Sequence, residues 1–169
     1  MYEYLGKKLE SKLRLAVGAL LAKSGNRTLA AYFRLVIKSL FKIVNSTSPQ
    51  KVALAFIQEG GKHPNKASRE TAAQFLALLT VSLGPSNSLA SHILAGPMIK
   101  CAAQFVFDCS ALTRHCGKRM FQVLMSNPNF EKLKEHHLDI NTAQNLTKVL
   151  EQIETKGVSE EVLPIKIIK

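Results

Sequence analysis

The sequence predicts an all-α fold built from pairs of helices, and three observations carry that prediction. Nearly every periodic segment repeats its apolar residues at helical spacing, and none alternates as a half-buried strand does. The breaks between segments are short clusters of Gly, Pro, Asn and Ser. Those breaks also recur: one class of turn falls at Asn26, Asn65 and Ser110, a second at Asn45, Gly84 and Asn127.

Taken in order, a first helix is expected over about residues 3–23, carried by Leu5, Leu9, Leu13, Val17 and Leu20, and ended by SGNR. A second, about 29–44, would bury Phe33, Ile37, Leu40 and Phe41. NSTSP then places a proline where the next helix opens, about 50–59. GGKHPN separates it from a fourth, about 66–83, with the stripe Ala72, Phe75, Leu76, Leu79 and Leu83. GPSNS leads to a fifth, about 89–106, in which Gly96-Pro97 is a candidate break. Ser110 suits the N-cap of a sixth, about 111–125. NPN stops it, and two shorter helices follow, about 130–136 and 141–155. Two helices per unit of about 40 residues is the signature of HEAT or armadillo repeats. The expected architecture is a right-handed helical-repeat solenoid of about four helix pairs whose neighbours share one core. It would form a single domain over residues 1–163, with a basic tail at 164–169.

At 169 residues and 46% hydrophobic, the chain has enough apolar content for a core, which excludes a disordered tail. Lys and Arg total 23 against 12 Asp and Glu, a net +11, so an acidic partner is expected: a protein surface, nucleic acid or an anionic membrane. Cys101, Cys109 and Cys116 are odd in number and irregular in spacing, which argues for a reducing compartment rather than a disulfide framework. No apolar run approaches a membrane span. LRLAVGALLA near the start reads as part of an amphipathic helix, because Glu3 and Glu10 interrupt the basic region that a targeting peptide requires.

Stacking puts all turns of one class on one edge. There the first turn offers Asn26 and Arg27, with Arg34 further along. The second offers His63, Asn65, Lys66 and Arg69, and the third Thr113, Arg114, His115, Lys118 and Arg119. The other class of turn holds no cation. A single cation at a helix start is an ordinary solvated face; the same asymmetry in three repeats points to a binding edge.

HPNKASRETAAQFLALL resembles the loop-to-helix signature of TOG domains, HEAT-repeat modules that bind tubulin; His63, Asn65 and Arg69 hold its places. DCSALTRHCGKRMFQVLMSNPNFEKL is similar to the following repeat of the TOG-array, or crescerin, family of ciliary microtubule regulators. Thr113, Arg114, Gly117, Lys118, Arg119, Pro128 and Phe130 stand at its positions. ETKGVSEEV resembles the way such domains close. The likeness runs from about Ser24 onward and fits about the last four of the family's six repeats; the tryptophan many members carry on their first loop is absent. It implies a non-enzymatic module that binds tubulin or microtubules through aligned basic loops, cytoplasmic and cytoskeletal, with a cilium as one setting. Arg69 and Arg114 are the expected anchors, since guanidinium makes two-point bonds to carboxylates.

A basic nucleic-acid-binding HEAT protein is the second reading, weakened by the lack of aromatics on the basic loops. A general helical scaffold for another protein is the third. No membrane partner and no cofactor are expected, and the chain is expected to act as a monomer. The cysteines lack the close pairs of a zinc site, and no catalytic constellation is visible.

Overall fold

The computed structural model describes residues 2–25 and 30–159, with side chains for 12–25, 34–40 and 42–159. Asn26, Arg27, the tail 164–169 and the side chains of Leu5, Leu9, Phe33 and Phe41 therefore lie outside what is described. Among the described residues there are eight α-helices and no strand: α1 (Tyr2–Ser24), α2 (Ala30–Ser46), α3 (Pro49–Gly60), α4 (Lys66–Leu89), α5 (His92–Val106), α6 (Ala111–Leu124), α7 (Phe130–His137) and α8 (Ile140–Lys156). The chain is all-α, as its periodicity predicts.

Local chemistry sets the helix starts. Pro49 opens α3 behind Ser48. Ser91 caps α5 by accepting from the Ile93 N–H at 3.2 Å, so α5 begins three residues later than the spacing suggests. Asp139 caps α8 through the Thr142 N–H at 2.9 Å. The helix α5 runs through Gly96-Pro97 without a break. Pro97 removes one backbone donor, but Leu94, Ala95, Gly96, Met98 and Ile99 are all buried around it, and that packing holds the segment helical. At Gly84 the backbone leaves helical geometry, with φ +73° and ψ 172°, a conformation only glycine adopts cheaply. One short helical turn follows it to Leu89, where the sequence predicts a loop.

The chain forms two compact units, Met1–Ala72 and Ala73–Lys169. In the first, α1 packs most extensively on α3 and also on α2, and α2 touches α3. In the second, α5 packs on α6, α5 on α7, α6 on α8 and α7 on α8. In the second unit odd stacks on odd and even on even, and each odd helix also meets its even partner; in the first, α1 stacks on α3. That is the packing stacked helix pairs require. The core of the first unit includes Val17, Leu21, Ile37, Leu40, Val52 and Phe56; that of the second, Phe75, Leu76, Met98, Ile99, Phe105, Met120, Phe121 and Leu146. The α4 stripe is buried as expected, yet Ala73, Gln74, Ala77 and Thr80 are buried too, so much of α4 is enclosed on all sides.

Candidate functional site

Turns of one class do meet within each unit. In the first, Gly25 lies so close to the α3–α4 turn that a Cβ on it would stand 2.9 Å from Ser68 Oγ and 3.0 Å from the Asn65 amide. In the second, Asn127 Nδ2 donates to the Pro85 carbonyl at 3.1 Å, which ties the NPN turn to the GPSNS turn.

The α3–α4 and α5–α6 turns share one wiring built from different residues. In the α3–α4 turn, His63 Nδ1 accepts from the Asn65 N–H at 3.1 Å. Asn65 Oδ1 in turn accepts from the N–H groups of Ala67 and Ser68, at 2.9 and 3.1 Å, satisfying donors that open α4. Arg69 then folds back, and its Nη1 donates to the carbonyls of His63 and Pro64 at 2.9 and 3.1 Å. In the α5–α6 turn, Asp108 Oδ1 accepts from the Ser110 N–H at 2.8 Å. Ser110 Oγ accepts from the Thr113 N–H at 3.4 Å, and Arg114 Nη1 donates to the carbonyls of Asp108 and Cys109 at 2.8 and 2.9 Å. Even the side chains at the third helical position correspond: Ser68 and Thr113 are both buried, and neither hydroxyl finds a hydrogen-bond partner.

Each arginine therefore spans the two carbonyls that precede its helix cap. A guanidinium is always charged and presents several donors in one plane, so a single group can hold both. Arg69 and Arg114 are half-buried in this role, which makes them positioning residues for their loops. Arg114→Met keeps the aliphatic stem but removes two charge-assisted hydrogen bonds, and is expected to lower stability by about 1–3 kcal/mol. Lysine, with a single ammonium, should restore only part of that. Urea titration of wild type, Arg114→Met and Arg114→Lys reads the order directly; equal midpoints for all three would show that the clamp holds nothing.

What remains accessible differs between the turns. In the α3–α4 turn Lys62, Asn65 and Lys66 are exposed and His63 is half-buried; Lys62 is a basic residue beside the turn that stands outside the His63, Asn65, Arg69 motif. In the α5–α6 turn Cys109 is exposed, while His115, Lys118 and Arg119 are half-buried and Thr113 is buried. Arg119 donates to Gln122 Oε1 at 2.8 Å. Burial, then the charges of Arg119 and Lys118, push the His115 pKa below its ordinary 6.5, against the upward pull of a hydrogen bond with the Ser159 backbone. His115 is thus neutral at pH 7 and adds no charge to the edge. The α7–α8 turn is a fourth member of the class: Asp139 caps as Asn65 and Ser110 do, but Ala143 stands where the arginine would be. Its signal in the sequence was the Asp-x-x-Thr cap.

Cys101 and Cys116 are buried, and burial pushes the Cys101 thiol up to about 12, so it is inert as a nucleophile. Among the described residues, no group of three or more His, Cys, Asp or Glu is placed to hold a metal. No helix among them is long and apolar enough to cross a membrane.

Sequence comparison finds homology to TOG-array and crescerin-like proteins, with which the paired helices are consistent. The chain is 31% identical over 162 residues to the TOG array regulator of axonemal microtubules protein 1 of Mus musculus, which covers 95% of this chain and 9% of that protein. It is 26% identical over 153 residues to the crescerin-like protein che-12 of Caenorhabditis elegans, covering 90% of this chain and 12% of that one. The chain thus spans about a tenth of the length of these relatives. No protein-family model and no solved structure matches it.

Proposed function

We propose that this domain is a non-enzymatic interaction module that contacts tubulin or microtubules through its cationic intra-repeat turns. The observation that carries the reading is the shared wiring of the α3–α4 and α5–α6 turns. Both hold their backbone rigid by internal hydrogen bonds, so cations beside them would be presented at little entropic cost on binding. The relatives are named as regulators of axonemal microtubules and as crescerin-like, which supports a microtubule partner and a ciliary setting. Lys62 and Lys66 are the residues that would meet acidic groups, with Lys118 and Arg119 contributing from the α5–α6 turn. Arg69 and Arg114 would act by fixing the loops, a different part from the direct anchoring expected of them.

Charge-led association of this kind is steered at long range and weakened by salt. Co-sedimentation with microtubules, paired with size exclusion on free tubulin, is expected to show binding at low salt that falls at moderate salt. Lys62→Glu/Lys66→Glu, which leaves the arginine clamp intact, is expected to weaken it about tenfold, equivalent to about 1.4 kcal/mol. No sedimentation at low salt, or an unchanged double variant, would remove this reading.

A further inference from the structure

The positive charge is unevenly distributed. Residues 1–72, the first unit, carry 13 Lys and Arg against four Asp and Glu, a net +9. Residues 73–169 carry 10 against eight, a net +2. Within the first unit α2, with the sequence AAYFRLVIKSLFKIVNS, carries three cations and no carboxylate. Arg34, Lys38 and Lys42 are all exposed. At four-residue intervals their Cα atoms rise about 6 Å apart, a run of about 12 Å along one side of the helix.

At about 100° per residue the exposed sector of α2 also takes in Leu35, Ser39, Asn45 and Ser46, while Val36, Ile37 and Leu40 turn into the core. Leu35 is 63% exposed in the midst of the cations. Among the described residues none of the three cations makes an ion pair, and Glu59 of this unit is paired with Arg14. Like charges four residues apart destabilise a helix by a few tenths of a kcal/mol each. A face serving solubility alone mixes its signs.

We propose that the outer face of α2 is a docking surface for an acidic helical segment of a protein partner. Carboxylates at four-residue spacing on that segment would match Arg34, Lys38 and Lys42 in step, and an apolar side chain would cover Leu35. A bilayer is a poorer occupant, because Val36, Ile37 and Leu40 are buried in the core and Leu35 is the one exposed large apolar side chain among those described on α2. Nucleic acid is poorer too, because Leu35 in the midst of the cations would face phosphates with nothing apolar to cover it. The net +9 of the unit adds long-range steering toward any acidic protein. The surface uses none of Lys62, Lys66, Lys118 or Arg119.

The test uses the full chain and a synthetic 18-residue helical peptide with Glu at every fourth position beside a Leu. A scrambled peptide of the same composition, a short DNA duplex and anionic phosphatidylserine vesicles serve as comparators. Fluorescence anisotropy should show the patterned peptide binding at least tenfold tighter than the scrambled one, and tighter than DNA or vesicles. Lys38→Glu/Lys42→Glu, and the milder Lys38→Gln/Lys42→Gln, should each lose that binding with the helical circular dichroism unchanged. A peptide with Lys in place of Glu should bind the Glu variant and not the wild type. Leu35→Ser should cost about threefold, as expected for one partly covered apolar contact. Lys62→Glu/Lys66→Glu should leave the peptide bound. Equal binding of patterned and scrambled peptides, stronger binding of DNA or vesicles, or loss in the Lys62/Lys66 variant would each overturn the proposal.

Discussion

Phe121→Ala is expected to lower the unfolding free energy by about 3–5 kcal/mol. Phe121 lies on α6 with no exposed surface, between the fully buried Met120 and the fully buried Leu124. Its ring meets the Phe130 ring edge-on, with centroids 6.0 Å apart and planes at 72°. Truncation would remove a large apolar surface, forfeit an aromatic pair and leave a cavity lined by groups on two helices. Phe130 opens α7 and is itself buried, so the loss should reach the α6–α7 junction. Guanidinium titration followed by far-UV circular dichroism measures it. Phe121→Leu, which keeps most of the volume, should cost about 1 kcal/mol and remain folded. A Phe121→Ala loss below about 1 kcal/mol would mean the core is not packed around this ring.

The helices were legible because their apolar residues recur at the period of the helix, and that signal is local. The alternation of turn classes was legible for the same reason, and the contacts of Gly25 with the Asn65 turn and of Asn127 with Pro85 fit it. Pro97 shows the limit. Proline's local preference argues for a break, but the buried residues on either side of it outweigh that preference, and burial is a property of the whole unit. Likewise α4 reads as one amphipathic stripe, yet it is covered on more than one side, which a single helix cannot announce.

For the candidate site, residue identity was legible and role was not. His63, Asn65 and Arg69 stand out as a motif, Ser110 as a cap and Arg114 as an anchor, while Asp108 is seen only in the structure. Their main hydrogen bonds go to backbone groups of the same turn. Backbone acceptors leave no trace in the sequence, so an arginine that clamps a loop looks the same as one that waits for a partner. That is also why the two turns can share a wiring while differing at most positions: the conserved element is geometry, with His63 or Asp108 accepting at one end and arginine donating at the other. Lys62 and the α2 stripe were passed over for the opposite reason. Single exposed cations carry no local signal, and the stripe becomes visible only when the exposed sector of α2 is separated from its buried one.

Gly117 is the point where fold and candidate site meet, and Gly117→Ala is expected to destabilise the chain by about 1–2 kcal/mol. It sits in the middle of α6, where alanine would ordinarily gain about 1 kcal/mol over glycine. Here a Cβ would stand 2.7 Å from the Val106 nitrogen, 2.9 Å from Phe105 Cβ and 3.0 Å from the Ala102 carbonyl oxygen. Two of those three atoms are backbone of α5, which cannot withdraw by changing a rotamer, so α5 and α6 must separate and the overpacking cost, about 1–3 kcal/mol or more, should exceed the propensity gain. Gly117→Val should be worse still. Gly18→Ala provides the contrast, since its Cβ would meet only the flexible end of Glu59; that variant should be neutral or slightly more stable. Thermal melts of the two alanine variants side by side decide the matter, and a Gly117→Ala melt at or above wild type would show that the helices are not in contact there. The glycine of the Gly-Lys-Arg cluster is thus explained by packing: α6 lies hard against α5 at Gly117, and the two residues that follow, Lys118 and Arg119, keep part of their surface open. A larger residue at 117 would shift both cations along with the helix that carries them, so a loss of partner binding in Gly117→Val should accompany its loss of stability, whereas Lys118→Gln should lose binding alone.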